Sequence, residues 1–183
     1  DAQSGRPVAE DKNYRDRTTG LAFDRQGRLA TASFDGSVRL YDASFRLIAE
    51  QKTLSGKQPY SVAFSPDGSL LAVGYADQPK VDVLSGRDLS RRYSPRTADL
   101  RSGNLAAVAW TVGPEPHLLA GGTASRSDGW MIVRRWGQLG QGQPLDIPLG
   151  ELDQRIGAAI ARTLGAIVCW HVTTRFKSIR PRT

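Results

Sequence analysis

The sequence contains little of what disulfide-rich, secreted and membrane-spanning proteins need. Its single cysteine, Cys169, cannot form an intrachain disulfide, which favours a reducing compartment such as the cytoplasm. There is no run of about 18 apolar residues to predict a transmembrane helix, and no basic-then-apolar start to predict secretion. The 183 residues, 39% of them hydrophobic, fit one domain with its own core. We therefore expect a cytoplasmic protein without a membrane segment.

Residues for catalysis and metal binding are equally scarce. Only two histidines occur, His117 and His171, and no cluster of histidine, cysteine and acidic residues has metal-ligand spacing. Neither glycine-rich phosphate motif is present, and no G-x-S-x-G turn positions a nucleophile. The aspartates that could suggest calcium have the spacing of turns; they are Asp35, Asp67, Asp77 and Asp128. The sequence therefore predicts no cofactor, no metal site and no enzymatic activity.

Positive charge is in excess and is unevenly distributed. The net charge is +7, and a basic surface is one signature of nucleic-acid binding. Residues 1–150 hold 19 basic and 16 acidic side chains, whereas residues 151–183 hold 6 and 2. Weak nucleic-acid binding through the basic tail, residues 173–183, is therefore one alternative. A solvated chain end explains such a tail more simply, so we do not expect nucleic acid as the main partner.

A pattern of short strands and tight turns recurs along residues 1–150. Leu21-Ala22-Phe23 returns 41 residues later as Val62-Ala63-Phe64, and 46 residues after that as Val108-Ala109-Trp110. The first copy has three predicted strands separated by Gly-containing turns: Leu21–Phe23, Leu29–Phe34 and Ser37–Tyr41. Fourth strands are predicted at Leu47–Lys52, Asp88–Tyr93 and Pro144–Leu149. Four strands per repeat of about 40 to 45 residues predict an all-β fold, a fragment of a β-propeller with four-stranded antiparallel blades.

The run FSPDGSLLAVG, Phe64 to Gly74, and the aromatic-Asp pair Tyr41-Asp42 resemble the WD-repeat family. The resemblance covers roughly residues 1–150, and its nearest form is the divergent WD-repeat protein of bacteria. It implies a non-enzymatic module that binds protein partners, as a scaffold or as a regulatory domain of a larger protein. No repeat carries the family's Gly-His pair, so its buried Asp-His-Ser/Thr-Trp hydrogen-bond network is not expected here.

The repeat also gives the predicted division of the chain. Residues 1–19 are the end of a preceding blade and a linker, and three blades follow at 20–53, 54–93 and 94–150. Residues 151–183 are a diverged segment, predicted either as a helix over 152–164 with a strand at 166–171 or as a decayed fourth blade. A partial ring leaves strand edges open, which predicts self-association through those edges.

The predicted partner-binding residues lie in the loops that enter each blade and that join its second and third strands, including an enlarged polar loop at Thr123–Gly129. They are Lys57, Gln58, Tyr60, Asp77, Gln78, Arg96, Arg101, Ser125, Arg126 and Asp128. The enzymatic alternative places a site in the central channel, with only Asp24, Ser61 and Ser65 as reactive groups and no paired base. Trp110 and Trp136 align with Phe23 and Tyr41, and are predicted to pack between blades.

Overall fold

The computed structural model describes residues 3–125 and 131–148. Within these residues, twelve strands and one short 3-10 turn, Gln138–Gly140, form three four-stranded antiparallel sheets. Strands that are consecutive in the chain are neighbours in each sheet. The prediction of an all-β fold built of four-stranded antiparallel blades is thereby confirmed. The predicted helix over 152–164, the strand at 166–171 and the basic tail lie outside the described residues.

Each sheet is one blade. Blade 1 consists of β1 (Thr18–Phe23), β2 (Leu29–Ser33), β3 (Ser37–Tyr41) and β4 (Leu47–Lys52). Blade 2 consists of β5 (Pro59–Phe64), β6 (Leu70–Tyr75), β7 (Val81–Ser85) and β8 (Arg91–Tyr93). Blade 3 consists of β9 (Ala107–Trp110), β10 (Leu118–Ser125), β11 (Met131–Trp136) and β12 (Pro144–Pro148).

The observed strand ends differ from the predicted ones at several places. β1 begins at Thr18, three residues earlier than predicted, and β8 begins at Arg91, three residues later. The polar loop predicted to begin at Thr123 was wrong at its start, because β10 continues to Ser125. The N–H groups of Ala124 and Ser125 donate to carbonyl groups of the connection that enters blade 3. These backbone partners, which a local pattern does not reveal, keep the strand extended.

An apolar cluster lies at each boundary between blades. β6 contributes to both, because its side chains alternate between the two faces of the sheet. Leu71, Val73 and Tyr75 pack in the cluster between blades 1 and 2, whereas Ala72 packs in the cluster between blades 2 and 3. Both faces of β6 are thus covered, which explains its continuous apolar sequence. Each fully buried Leu or Val contributes about 1.5 to 3 kcal/mol to the free energy of unfolding.

The first strands of the three blades lie side by side. A Cβ atom on Gly20 of β1 would lie 2.6 Å from the Tyr60 carbonyl oxygen, so only glycine allows this close approach to β5. Ser61 links β5 to blade 3: its Oγ donates to the Ala106 carbonyl at 2.6 Å and accepts the Val108 N–H at 3.0 Å. This side-by-side order of first strands is that of adjacent propeller blades.

Both predicted inter-blade tryptophans are buried in the cluster between blades 2 and 3. Trp110 Nε1 also donates to the Ala63 carbonyl of the neighbouring blade at 3.1 Å. The prediction that Trp110 and Trp136 pack between blades is therefore confirmed.

Candidate partner-binding face

The turns of each blade lie at two opposite ends of the sheets. One end carries the turn from first to second strand and the turn from third to fourth strand. The other end carries the turn from second to third strand and the connection that enters the blade. We call this second end the loop face, formed by residues 11–17, 34–36, 53–60, 76–80, 94–106 and 123–125. Eight of the ten predicted partner-binding residues lie there, and Arg126 and Asp128 lie outside the described residues.

At blade 2, the Asp77 carboxylate organises the loop face. It accepts the backbone N–H of Lys57 at 2.8 Å and that of Gln58 at 3.2 Å. Asp77 therefore fixes the connection into blade 2, while the Lys57 and Gln58 residues themselves are exposed. The Gln78 carbonyl accepts the N–H of Leu105 at 3.3 Å and so joins this region to blade 3.

At blade 3, the predicted residues contribute mainly through the backbone. Arg101 N–H donates to the Ser125 carbonyl at 3.2 Å, and the Arg96 carbonyl accepts the indole N–H of Trp136 at 3.1 Å. The connection carrying Arg96 and Arg101 is thereby held against blade 3, and both residues are exposed.

Two residues that the sequence analysis did not single out complete the loop face between blades 1 and 2. The guanidinium carbon of Arg17 lies 4.8 Å from the ring centroid of Phe34, within the range of a cation–π contact. The Phe34 and Tyr60 ring centroids are 6.2 Å apart. An aromatic residue directly before the Asp35-Gly36 turn was the available signal for Phe34. No sequence pattern pointed to Arg17, because Arg17 comes to lie beside Phe34 only in the folded chain, where it directly precedes β1.

A buried charged residue occupies the same position of the third strand in every blade. Arg39, Asp82 and Arg134 pair across the sheet with β2, β6 and β10 at equivalent positions. All three are almost completely buried, and a buried charge is costly unless it is paired and hydrogen-bonded. In each blade, the connection that enters it supplies partners for this charge.

In blade 1, Arg39 lies below the segment that precedes β1. It donates to Asp35 at 2.9 Å and to the Asn13 carbonyl, and its guanidinium carbon lies 4.1 Å from the Tyr14 ring centroid. Burial alone would raise the pKa of Asp35. Hydrogen bonds from Arg39 and from the N–H groups of Arg15 and Ser37 instead lower it to about 2.

In blade 2, the buried charge is negative. Asp82 accepts the Ser55 hydroxyl at 2.7 Å, the Tyr75 hydroxyl at 2.7 Å and the Ser94 hydroxyl. Burial raises the pKa of Tyr75, and the nearby Asp82 charge raises it further. Tyr75 therefore remains a hydrogen-bond donor over the whole physiological pH range.

In blade 3, Arg134 is bracketed by two carboxylates. Its Nη1 and Nη2 donate to the two oxygens of Asp99 at 2.7 and 2.5 Å, and its Nε and Nη2 donate to those of Asp146 at 2.6 and 2.7 Å. Such bidentate pairs are the strongest geometry for a guanidinium group. Hydrogen bonds from Arg134 lower the pKa of Asp99.

The three candidate catalytic groups each make structural hydrogen bonds. Asp24 accepts Arg28 Nε at 2.8 Å and the N–H groups of two turn residues. Ser61 joins blades 2 and 3 as described above. Ser65 donates to Asp67 at 2.6 Å and accepts the Leu70 N–H at 2.9 Å, which shapes its turn.

The part of the chain that the structure describes contains no group of three or more His, Cys, Asp or Glu that could hold a metal ion. Among the same residues, no helix is long and apolar enough to cross a membrane.

Comparison with known proteins identifies the repeat. Residues 6–42 and 49–78 match the family model described as WD domain, G-beta repeat. Within residues 6–78, the chain carries WD repeats. In this WD-repeat chain, the first matched segment begins in the connection that enters blade 1 and ends just after β3. The repeat in the sequence is therefore offset from the blade in the structure.

A curated relative of this WD-repeat chain is THO complex subunit 3 of Arabidopsis thaliana, which is 32% identical over 103 residues. The match covers 55% of the chain and 31% of that protein, so the chain spans about a third of its relative. Dihydro-heme d1 dehydrogenase NirN in complex with DHE superposes with a TM-score of 0.57 and 24% identity, over 70% of this chain and 27% of that one. The computationally designed Ika4 protein superposes with a TM-score of 0.54 and 18% identity, over 77% and 78%. These structural likenesses show the fold alone.

In blade 1 of this WD-repeat chain, tyrosine hydroxyls connect the entering segment to the sheet. Tyr14, from the entering connection, bonds Thr31 of β2 at 2.7 Å and Tyr41 of β3 at 2.8 Å. Tyr41 in turn donates to Asp11 at 2.6 Å. Burial raises the pKa of Tyr41, as does its hydrogen bond to Asp11. A hydroxyl network thus ties the entering connection of blade 1 to β2 and β3.

Proposed function

We propose that this chain is a non-enzymatic protein-interaction module, a scaffold or regulatory domain of a larger protein. Its loop face binds an acidic segment of a protein partner. WD-repeat propellers mediate protein–protein interaction, and the coarse assignment rests on the WD repeats matched within residues 6–78. The relative THO complex subunit 3 is by its name part of an assembly, which agrees with such a role. We further propose a cytoplasmic location.

The observation that carries the acidic-partner proposal is the basic and aromatic surface between blades 1 and 2. Exposed Arg17 lies on the Phe34 ring, and Phe34 contacts Tyr60. Exposed Lys57 lies in the connection beside them. Aromatic residues and arginine contribute most strongly to protein interfaces.

The acidic side chains near this surface have internal partners. Asp35 bonds Arg39, and Asp77 binds the backbone of the connection into blade 2. Their charges are thus partly neutralised within the loop face. Arg17 and Lys57 remain to attract carboxylates of a partner, which would raise its association rate.

The alternatives remain predictions. For a channel-centred enzyme, Asp24, Ser61 and Ser65 would have to leave the hydrogen bonds described above. Nucleic-acid binding through the tail depends on residues 173–183, which lie outside the described residues. The experiment below includes an arm for it.

Fluorescence anisotropy with labelled short peptides tests the proposal. Three pools of equal length and equal aromatic content are titrated: acidic, neutral and basic, together with a single-stranded oligonucleotide. We expect saturable binding of the acidic pool that weakens with salt. Binding of the oligonucleotide alone, with a steep salt dependence, would support the nucleic-acid alternative instead.

Charge reversal then locates the site. Arg17→Glu with Lys57→Glu is expected to weaken acidic-peptide binding by about tenfold or more. The matched control is Arg25→Glu with Arg87→Glu, two exposed arginines in turns at the opposite end of blades 1 and 2. Equal loss of binding in both double variants would contradict a site on the loop face.

A further inference from the structure

A carboxylate on the fourth strand faces the buried arginine in two of the three blades. Glu50 lies opposite Arg39 in blade 1, with 3.2 Å between its Oε1 and Nη2, and Asp146 lies opposite Arg134 in blade 3 at 2.6 Å. In blade 2 the buried third-strand charge is itself a carboxylate, Asp82. A second carboxylate beside it would repel it, so blade 2 needs a hydrogen-bond donor at the fourth-strand position.

Ser94 provides this donor. It directly follows Tyr93, which pairs with Val83 across β7 and β8, and its hydroxyl donates to Asp82. Ser94 thus occupies the position that a carboxylate takes in the other two blades. Ser55, from the connection that enters blade 2, donates to the same oxygen, Oδ1. Asp82 therefore holds two connections of the loop face, and Ser94 is the first residue of the one that leads into blade 3.

The Ser94 residue is exposed and lies among arginines. Nη2 of Arg91 donates to its Oγ at 2.9 Å, and the Arg91 side chain is 49% exposed. Arg92 and Arg96, which lie two residues to either side in the chain, are also exposed. Because β8 ends at Tyr93, Ser94 begins an irregular surface segment that an enzyme can reach. The site combines an accessible hydroxyl with positive charge that would stabilise an added anion.

We propose that Ser94 is a phosphorylation site for a protein kinase that selects basic substrates. Arg91 and Arg92, at the third and second positions before the serine, supply the charge pattern by which such kinases choose their substrates. In the transfer, Oγ of Ser94 forms a bond to the terminal phosphorus of a nucleoside triphosphate, and the bond from that phosphorus to the bridging oxygen breaks. The nucleoside diphosphate leaves, and the hydroxyl proton passes to the catalytic carboxylate of the kinase.

Phosphorylation reverses the relation between Ser94 and Asp82. The Oγ becomes an ester oxygen without a proton, and the phosphate carries a charge of about −1.5 to −2 at neutral pH. It can therefore neither donate to Asp82 nor remain beside that buried carboxylate. The side chain is expected to turn towards the guanidinium of Arg91, whereas Asp82 keeps the hydroxyls of Ser55 and Tyr75.

The modification releases one connection from blade 2 and leaves the other in place. The segment that begins at Ser94 carries Arg96 and Arg101, and the hydrogen bonds of these two residues to blade 3 remain. Ser55 continues to hold the connection that enters blade 2. Phosphate at Ser94 thus acts as a switch, because it loosens one connection of the loop face at blade 2 alone.

Treatment of the folded full chain with ATP and the catalytic subunit of cyclic-AMP-dependent protein kinase tests the site. Tandem mass spectrometry of the digested chain follows phosphate incorporation at Ser94. Ser90 is the internal control, because it is exposed in the turn before β8 but has a single arginine, Arg87, at the third position before it and Asp88 at the second. No phosphate at Ser94, or equally fast incorporation at Ser90, overturns the proposal.

Replacement of one arginine tests the role of the pair. Arg92→Ala is expected to lower the rate of incorporation at Ser94 by about tenfold or more. Arg87→Ala is the matched control, because it removes an exposed arginine of the preceding turn, and it should leave that rate unchanged. An Arg92→Ala chain that is phosphorylated as fast as the wild type overturns the assignment of the arginine pair.

Hydrogen–deuterium exchange then tests the switch. In the phosphorylated chain, residues 91–97 should exchange about tenfold faster, the factor expected for loss of one hydrogen bond to a charged group, while residues 53–58 stay unchanged. Ser94→Ala removes the same hydrogen bond without adding charge and should give a similar increase. Treating Ser94→Ala with the kinase should change nothing further there, which controls for phosphate at other residues. Unchanged exchange over residues 91–97 in the phosphorylated chain overturns the release from blade 2.

Discussion

Blades 1 and 3 each bury an arginine at the same position of the third strand, but the two guanidinium groups differ in how many of their nitrogens have hydrogen-bond partners. In blade 3, all three nitrogens of Arg134 donate to the carboxylates of Asp99 and Asp146. In blade 1, Nη2 of Arg39 donates to Asp35 and to the Asn13 carbonyl and lies 3.2 Å from Glu50, whereas Nε and Nη1 have no hydrogen-bond partner among the described residues. From the entering connection, Arg39 meets the Tyr14 ring, whereas Arg134 meets the Asp99 carboxylate.

The comparison shows that the repeat keeps the location of a buried polar group rather than its chemistry. The third-strand charge connects each blade to the segment that enters it, whether it is Arg39, Asp82 or Arg134. Burial makes such a group costly if it is left unpaired, so each blade must provide its own solution. The free energy of unfolding lost on removing each group should therefore be larger where more of its polar atoms are hydrogen-bonded.

The largest effect is expected for Arg134→Met. Removal of the guanidinium takes from the largely buried Asp146 the two hydrogen bonds that Arg134 donates to it, which should lower the free energy of unfolding by about 3 to 5 kcal/mol. Urea unfolding at neutral pH, followed by fluorescence, measures the change. Adding Asp146→Leu should restore part of the loss, because the buried carboxylate that lost those two hydrogen bonds is then gone. No recovery in the double variant would contradict this explanation.

A smaller effect is expected for Arg39→Met. The change leaves Asp35 unpaired, but it also removes two buried donors that lack partners, each of which costs about 1 to 3 kcal/mol. We expect a net loss of about 2 kcal/mol in the same urea measurement. A loss as large as that of Arg134→Met would break the proposed relation between pairing and stability.

Asp35 should make stability depend on pH in acid. Its pKa is lowered to about 2, below the ordinary value of 3.8. Its contribution, about 2 kcal/mol, is thus complete above about pH 4 and is lost as the pH falls towards 2. Asp35→Asn should make the free energy of unfolding depend less on pH across this window, which acid unfolding curves of the variant and the wild type measure. Asp88→Asn is the control, since Asp88 lies on the surface, where water screens its hydrogen bonds to Ser90, and it should change the curve less.

The smallest effect is expected for Tyr75→Phe in blade 2. The change removes one donor to Asp82, which keeps the Ser55 and Ser94 hydroxyls, so the loss should be about 1 to 2 kcal/mol. Differential scanning calorimetry compares it with Tyr93→Phe, whose hydroxyl donates to the Leu139 carbonyl rather than to a buried charge. An equal loss in both variants would mean that donating to the buried Asp82 charge stabilises the fold no more than donating to a carbonyl group.

Local patterns in the sequence predicted much of the fold. β3 and β4 have the predicted bounds, because alternating side chains and Gly-containing turns specify such strands locally. The extension of β10 to Ser125 was missed, since its partners Ser102 and Asn104 lie about 20 residues away in the chain. The loop-face residues were grouped correctly at one end of the blades, but Arg17 was missed because its contact with Phe34 joins separate segments.

The sequence by itself determined the repeat and the four strands of each blade, and it indicated WD repeats, because each depends on short patterns that recur. Only the tertiary structure decided which partners these charges find and that Leu21 and Phe23 stay exposed while their equivalents are buried. Burial and pairing are properties of neighbouring blades, and a residue's neighbours across a blade boundary are about 40 or more residues distant in the chain.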